Sequence, residues 1–196
     1  MAVLPSAKSL ASAVAALRKE EIIPEVVSEF EAKTTLAINY GNYNNAFLGN
    51  RLTVANTQEA PQVYFYSDSP TNKYTLIMTD PDAPSRKFPK LREYLHWVVS
   101  NIPAPAPGQP ADLAKGVVLS PYMGPAPPPE TDLHRYTFLL YKQSAAPTVV
   151  NTETLYTRLP EKRHRFKARD FAARAGLELV GANFFQAENT SPASRL

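Results

Sequence analysis

The sequence predicts a mainly β protein with peripheral helices, in which two antiparallel sheets pack face to face as a β-sandwich. Short segments rich in β-branched and aromatic residues recur along the chain, separated by connections rich in glycine, asparagine or proline. Helix-forming patterns occur only near the two ends of the chain. Many short strands with few helices are typical of a sandwich rather than of a parallel α/β sheet.

The composition is that of an ordinary globular chain. Hydrophobic residues make up 44% of the 196 residues and charged residues 20%, so the chain can bury a core. We expect a single domain over residues 1–196, with residues 1–20 as a helical extension. The chain has no cysteine. This excludes a disulfide framework, a thiolate metal site and a cysteine nucleophile, and it fits a cytoplasmic location.

The N-terminal stretch "SLASAVAALRKEE" predicts a short amphipathic helix that docks on the body of the protein. Leu10, Val14 and Leu17 recur there at helical spacing. Pro5 and Lys8 interrupt the apolar stretch, which argues against a signal peptide. No apolar run reaches the length of a membrane span.

Seven segments are predicted to be strands, and turn or loop segments connect them. They are "TTLAINY" (34–40), "QVYFY" (62–66), "YTLIM" (74–78), "EYLHWVVS" (93–100), "GVVLS" (116–120), "LHRYTFLLYKQ" (133–143) and "LELVGANFFQAE" (177–188). Strict alternation in the fourth puts Leu95, Trp97 and Val99 on one face, and Tyr94, His96 and Val98 on the other. The sixth is apolar enough to be buried on both faces toward its end.

Near the C-terminus, "EKRHRFKARDFAARAG" predicts a helix that ends at Gly176. Seven Lys and Arg residues lie between Arg158 and Arg174, against only Glu161 and Asp170. Such a run is typical of a solvated face, and the alternative is peripheral contact with acidic membrane lipids or an acidic protein. The net charge of the chain is only +3, and no nucleic-acid partner is expected.

The segment "DPDAPSR" places two carboxylates around one proline, with a second proline directly after them. Proline fixes its own φ and keeps the preceding residue extended, so Asp80 and Asp82 would lie on a rigid rim at the end of a strand. One interpretation is a ligand pocket at this rim. The other is a plain turn in which one carboxylate caps a local N–H group.

Two histidines favour the pocket. His96 is predicted to share a strand face with Tyr94, and His134 shares one with Tyr136. Imidazole and phenol groups donate hydrogen bonds, which a phosphate or carboxylate accepts. Gly124 would let the backbone approach a ligand closely. His164, in the basic run, receives no role.

The same residues suit other chemistry. Asp and His side chains ligate divalent metals, and an Asp/His pair serves as a general acid and base. However, the sequence has no Gly-x-Ser-x-Gly or His-Glu-x-x-His motif and no glycine-rich phosphate loop. The proline-rich segments resemble polyproline ligands, but "IPAPAPGQP" has no flanking basic residue.

The blocks "DPDAPSR", "REYLHWVVSNIP", "YMGPAPP" and "LHRYTFLLYKQ" resemble those of the phosphatidylethanolamine-binding protein family. The resemblance runs from about residue 22 to "NFFQAE" and leans toward the fungal, carboxypeptidase Y inhibitor-like branch of this family, which also includes the Raf kinase inhibitor proteins. It implies a two-sheet sandwich and cis peptide bonds at Ala83–Pro84 and Arg92–Glu93. It also implies an anion pocket formed by Asp80, Ala83, Pro84, Tyr94, His96, Gly124, Ala126, Pro128, His134, Tyr136 and Phe185.

Several positions depart from the family pattern. Leu91 stands where animal members often carry a ligand-contacting tyrosine, and Ala126 replaces the second glycine of a Gly-x-Gly. Pro129, Glu130 and Asp132 replace a lysine and two glycines, which predicts a stiffer and more acidic rim.

The resemblance implies a non-enzymatic binding protein without a cofactor. Its ligand would be a phosphate or a phosphoethanolamine headgroup. Its role would be to regulate or inhibit a protein partner, such as a serine carboxypeptidase or a kinase pathway. The alternative from the residues alone is an Asp/His-dependent hydrolase or a metal-binding enzyme that uses the same pocket.

Overall fold

The computed structural model describes residues 6–144 and 160–190. Its strands are β1 (Leu36–Asn39), β2 (Asn45–Ala46), β3 (Gln62–Phe65), β4 (Lys73–Asp80), β5 (Tyr94–Pro103), β6 (Val117–Ser120), β7 (His134–Gln143) and β8 (Leu177–Ala187). Its α-helices are α1 (Ala7–Lys19), α2 (Ile22–Glu25) and α3 (Ala168–Arg174), and 3-10 turns cover Ala55–Thr57, Leu113–Lys115 and Pro160–Arg163.

The strands form two antiparallel sheets. The smaller has the order β2-β1-β3 and the larger the order β6-β5-β4-β7-β8. The predicted fold class, mainly β with two antiparallel sheets and few helices, is therefore confirmed. The cis peptide bonds expected at Ala83–Pro84 and Arg92–Glu93 are present, with a third at Ile23–Pro24.

The larger sheet is buried on both faces, as the long apolar strand β7 predicted. One face packs against the smaller sheet through Leu76, Met78 and Phe138, which meet Ile38 and Val63 of β1 and β3. The other face is covered by the helices rather than by a third sheet. The burial of strands β4 and β7 along nearly their whole length follows from this three-layer arrangement.

Helix α1 docks on the second face of the larger sheet, as its spacing predicted. Val14 and Leu17 are buried there with Ile77 and Leu139, whereas Leu10 is half-buried. The Ser6 hydroxyl caps the helix by accepting from the Ser9 N–H at 3.1 Å. No helix in the described part of the chain is long and apolar enough to cross a membrane.

The strict alternation predicted for β5 is wrong, because a β-bulge interrupts the strand. Trp97 pairs with Met78 and Leu95 pairs with Thr79, so His96 is one extra residue between two adjacent pairs. As a result Trp97 faces the core between the sheets, while Leu95 packs with Val98 against the helices. The bulge places the His96 ring 5.2 Å from the Tyr136 ring.

The predicted C-terminal helix is shorter than expected. A 3-10 turn ends at Arg163, Arg165 has a left-handed φ of 57°, and α3 begins only at Ala168. A non-glycine residue in that conformation cannot continue an α-helix. Gly176, with φ 60°, follows the end of the helix as predicted. Arg158 lies outside the described residues.

Candidate functional site

The strands β4, β5 and β7 end around a small cavity of about 170 Å³. Ten of the predicted pocket residues line it: Asp80, Ala83, Pro84, Tyr94, His96, Gly124, Ala126, Pro128, His134 and Tyr136. Leu91, Met123 and Pro127 also contribute to the lining. Residues from four distant parts of the sequence thus converge on one concave site.

Phe185 does not line the cavity, which corrects the prediction for this residue. It is fully buried on β8, opposite Tyr136 of β7 in the sheet register. Its ring stacks on the Tyr136 ring with centroids 5.3 Å apart. Phe185 therefore supports a pocket residue from behind and has no place in the pocket wall.

His134 lies between two hydrogen-bond acceptors. Its Nδ1 is 2.8 Å from Asp80 Oδ2, and its Nε2 is 2.9 Å from the Thr131 hydroxyl oxygen. That hydroxyl donates to the Pro128 carbonyl at 2.7 Å, so its oxygen is left to accept from Nε2. Nδ1 therefore contacts the Asp80 carboxylate, and Nε2 contacts the Thr131 hydroxyl.

The second histidine of the pocket, His96, has a lowered pKa. Its Nδ1 donates to the Met123 carbonyl at 2.7 Å. Burial lowers the pKa of His96, and the Arg163 and His134 charges lower it further, against the raising effect of Asp80. The ring is therefore neutral near pH 7, and its Nε2 is an acceptor that gains a proton only at lower pH.

Tyr136 completes the polar floor of the pocket. Burial raises the pKa of its phenol well above the usual range, and the Asp80 carboxylate raises it further. The hydroxyl therefore keeps its proton and can donate it to a ligand.

The two carboxylates of "DPDAP" have separate roles. Asp80 faces the pocket, while Asp82 is fully buried beneath the loop and holds Arg135. Asp82 Oδ1 accepts from Arg135 Nη2 at 2.6 Å, and Glu25 Oε2 of α2 accepts from the same nitrogen at 2.6 Å. The turn interpretation also holds, because Asp80 Oδ1 accepts from the Asp82 N–H at 2.7 Å.

Arg163 places a buried positive charge behind His96. Its side chain is 1% exposed, and Nη1 donates to the Leu95 and His96 carbonyls, both at 3.0 Å, while Nη2 donates to the Pro121 carbonyl at 2.8 Å. Among the described residues it forms no salt bridge with a carboxylate. Its charge is therefore not neutralised there and favours a negative group in the adjacent cavity.

Four neighbours of the pocket were not predicted. Met123 and Pro127 line the wall, Thr131 bonds to His134, and the His164 ring packs on the Tyr94 ring with centroids 5.3 Å apart. Met123 lies inside the block "YMGPAPP", which was the only signal for it. His164 belongs to the basic run, whose composition is typical of a solvated face, and only the folded chain shows its contact with Tyr94.

Gly124, in the same block, is required by close packing rather than by contact with a ligand. A Cβ on Gly124 would lie 2.9 Å from the Gln58 Oε1 atom and 3.0 Å from its Cα. The side chain of Gln58 in turn donates to the Pro125 carbonyl at 2.9 Å. Gly124 thus lets residues 124–126 approach Gln58 closely.

The rim departs from the family pattern in sequence but keeps a conformation that suits glycine. Glu130 and Asp132, which replace two glycines, have φ values of 62° and 60°. Such angles are uncommon for residues with a side chain. Both residues are non-glycine here and follow Pro129, so this rim has less backbone freedom than a glycine-containing one.

Within the described residues, no group of three or more His, Asp or Glu side chains is placed to hold a metal ion. Asp80 and His134 bond directly to each other. The metal-binding alternative therefore gains no support from the geometry.

The chain is a β-sandwich with a small pocket at the ends of the central strands of its larger sheet. The family profile described as phosphatidylethanolamine-binding protein matches residues 27–185. The chain belongs to this family.

Relatives and solved structures agree with this assignment. The chain is 36% identical to the uncharacterized protein YLR179C of Saccharomyces cerevisiae over 91% of this chain and 94% of that protein. It is 35% identical to CEN-like protein 1 of Nicotiana tabacum over 89% and 92% of the two chains.

Two structures share the fold. A carboxypeptidase Y inhibitor, solved in complex with its cognate proteinase, matches with a TM-score of 0.80 and 27% identity over 94% of this chain and 98% of that chain. A phosphatidylethanolamine-binding protein from Plasmodium vivax matches with a TM-score of 0.76 and 27% identity over 90% and 97%. The family and these neighbours support a binding or regulatory protein.

Proposed function

We propose that the protein is a non-enzymatic binding protein whose pocket takes a phosphate, either free or as part of a phosphoethanolamine headgroup. The observation that carries this proposal is the convergence of His96, His134 and Tyr136 on one cavity of about 170 Å³. At ~30 Å³ per water molecule, that volume equals roughly five or six waters. A phosphate or a phosphoethanolamine headgroup has a size that fits such a space.

The charges around the cavity support an anionic ligand. The Asp80 carboxylate is hydrogen-bonded to His134 Nδ1 at 2.8 Å, and Arg163 adds a positive charge without a carboxylate partner among the described residues. Tyr136 has a hydroxyl proton to donate. His96 can take up a proton when an anion enters, because the anion offsets the effects that keep the ring neutral.

Calorimetric titration with phosphate and with O-phosphoethanolamine tests the pocket and separates the two ligand sources. Tyr136→Phe removes one hydroxyl and should weaken binding about 5-fold, the effect of one neutral hydrogen bond of ~1 kcal/mol. The matched control is Tyr141→Phe, because Tyr141 is buried on the opposite face of the same strand. Absence of binding by the wild type, or equal affinities for wild type and Tyr136→Phe, would contradict the proposal.

We also propose that the protein inhibits a serine carboxypeptidase. The support is the likeness to a carboxypeptidase Y inhibitor that was solved with its proteinase. Helix α1 and the acidic rim around Glu130 and Asp132 would recognise the enzyme. A kinase-pathway partner and a cytoplasmic location remain predictions from the sequence alone.

The variants used to test inhibition must leave the hydrophobic core intact. Leu17 is fully buried, so deletion of residues 1–20 would disrupt packing as well as recognition. Ala11→Arg with Ala15→Arg alters only the exposed face of α1, and Ala173→Arg on the exposed face of α3 is the matched control. Carboxypeptidase Y should be inhibited by the wild type and by the control, and at least 10-fold less by the α1 variant. If the wild type leaves the peptidase fully active, the proposal fails for that enzyme.

One observation favours the hydrolase alternative. Thr131, His134 and Asp80 form a hydroxyl–imidazole–carboxylate chain with contacts of 2.9 and 2.8 Å, which is the order of a catalytic triad. However, the Thr131 hydroxyl donates to the Pro128 carbonyl, and Thr131 is not in the pocket lining. Turnover of an ester or phosphoester panel that Thr131→Val abolishes would establish this alternative.

A further inference from the structure

Methionine is the only sulfur-containing residue type in this chain. The sequence has three methionines and no cysteine, so oxidation at sulfur can occur only at a thioether. The two methionines in the described part of the chain, Met78 and Met123, have opposite environments. Met78 is fully buried in the core between the sheets, whereas Met123 is half-buried and lines the pocket. Met1 lies outside the described residues.

The backbone of Met123 is fixed against β5 at the pocket wall. Its N–H donates to the His96 carbonyl at 2.9 Å, and its own carbonyl accepts from His96 Nδ1 at 2.7 Å. Its sulfur lies 3.5 Å from the Tyr94 hydroxyl, which donates to it. The thioether is therefore held beside two side chains that line the same cavity, His96 and Tyr94.

A small oxidant can reach the sulfur of Met123 but not the sulfur of Met78. The wall of the cavity includes Pro84, Leu91 and Tyr94, and all three are partly exposed to solvent. A cavity of about 170 Å³ has room for hydrogen peroxide, which is little larger than water. Met78 is 0% exposed in a close-packed interior that excludes such a molecule. We therefore expect selective oxidation of Met123.

We propose that Met123 is an oxidation site and that its sulfoxide blocks anion binding in the pocket. The inference rests on the proposed phosphate site and concerns its regulation. In the reaction, a lone pair of the sulfur attacks one oxygen of a peroxide, the S–O bond forms as the O–O bond breaks, and the second oxygen leaves as water after proton transfer. The sulfur loses two electrons, and the peroxide is reduced by them.

The sulfoxide changes the polarity of the pocket wall. Its oxygen carries partial negative charge where the thioether was apolar. The Tyr94 hydroxyl would donate to this oxygen more strongly than to the sulfur, which is a weak acceptor. A negative oxygen beside a cavity of about 170 Å³ takes up space and repels a phosphate. Because sulfoxide reductases restore the thioether, the modification is reversible and can act as a switch.

Peroxide treatment of the full chain, followed by peptide mass spectrometry and calorimetry with phosphate, tests this inference. Met123 should gain one oxygen atom, about 16 Da, at least ~10-fold faster than Met78. Phosphate affinity should fall ~10-fold or more once Met123 is oxidised, because the new oxygen repels the anion. Treatment with methionine sulfoxide reductases A and B, which act on different sulfoxide epimers, should restore the affinity of the untreated protein.

Met123→Leu and Met78→Leu are the matched variants, because each removes one thioether with little change in side-chain volume. Met123→Leu keeps Met1 and Met78, and its phosphate affinity should be the same before and after peroxide. Met78→Leu keeps Met123 and should lose affinity on treatment as the wild type does. This inference alone is overturned if oxidised Met123 leaves the phosphate affinity unchanged, or if Met123 is oxidised no faster than Met78. A protein that binds no phosphate before treatment would contradict the proposed pocket as well.

Discussion

Asp80 Oδ2 lies 2.8 Å from His134 Nδ1, although 54 positions separate the two residues in the sequence. Next to this pair, Asp82 holds Arg135, the residue after His134, with an Oδ1–Nη2 distance of 2.6 Å. Two carboxylates around Pro81 thus hold two successive residues of β7. The Asp80–His134 pair faces the pocket and the Asp82–Arg135 pair lies beneath the loop. The two carboxylates therefore have different structural roles.

This division of roles predicts different effects for two matched substitutions. Asp82→Asn leaves the Arg135 guanidinium with Glu25 as its one carboxylate partner among the described residues, and the free energy of unfolding should fall by about 3 kcal/mol because a buried ion pair loses one partner. Phosphate affinity should stay within 2-fold of the wild type. Asp80→Asn should change phosphate affinity by at least 5-fold. Urea titration and calorimetry measure both quantities, and a larger affinity change for Asp82→Asn than for Asp80→Asn would reverse the assignment.

The state of His96 predicts that phosphate binding depends on pH. Burial lowers the pKa of His96, so the ring must gain a proton when an anion binds, and affinity should fall as pH rises from about 6 to 8. Calorimetry in buffers of different ionisation enthalpy measures the proton uptake. Because the second ionisation of a phosphate monoester falls near pH 6, the reference is His96→Gln. A steeper profile in wild type than in the variant is expected, and identical profiles would assign the dependence to the ligand.

Glu93 predicts how stability depends on pH. It is 2% exposed, and burial raises its pKa from 4.5 to about 7, although the Ala168 N–H that it accepts lowers the pKa. Below pH 4.5 the carboxyl is protonated in both folded and unfolded chains, and above pH 7 it is charged in both. The free energy of unfolding should therefore fall by up to ~3 kcal/mol between these limits.

Glu93→Gln should remove this dependence, since the amide oxygen can still accept from the Ala168 N–H. Urea titrations should find the variant and the wild type about equally stable at pH 4, and the variant more stable at pH 8. A wild type that is the more stable of the two at pH 8 would show that the charged carboxylate is favoured in the fold.

Leu91 lines the pocket at a position where animal members of the family often carry a tyrosine. Leu91→Tyr should add one hydrogen bond to a bound phosphate and strengthen binding about 5-fold. Leu91→Phe adds the ring without the hydroxyl and serves as the control. If both variants change the calorimetric affinity equally, the ring rather than the hydrogen bond is responsible.

Much of the fold and most of the pocket lining could be predicted from the sequence. Segments such as "LHRYTFLLYKQ" carry their own strand signal, and the blocks around Asp80, His96 and His134 have a recognisable order. The position of Phe185 behind the pocket wall could not be predicted, because neighbouring residues on β8 face opposite sides of the sheet. That side depends on the register with Tyr136, which local sequence does not encode.

The bulge at His96 shows where sequence patterns fail. An alternation pattern assumes a regular strand. It could not predict that His96 would be an extra residue opposite Met78 and Thr79, so that the inward and outward positions are exchanged on either side of it. The contacts of Thr131 with His134 and of His164 with Tyr94 depend on loop conformation in the same way. Such contacts arise from tertiary packing, which has no periodic signal in the chain.

The central claim is that one anion binds in the single cavity that His96 and His134 both line. The chain has three histidines, so a protein labelled with ¹⁵N in its histidine rings gives one set of ring signals for each. During a phosphate titration, the signals of His96 and His134 should shift together and saturate at the same concentration, with proton uptake on His96. If neither ring responds while phosphate shifts only His164 or surface lysines, no anion enters this pocket and the claim is wrong.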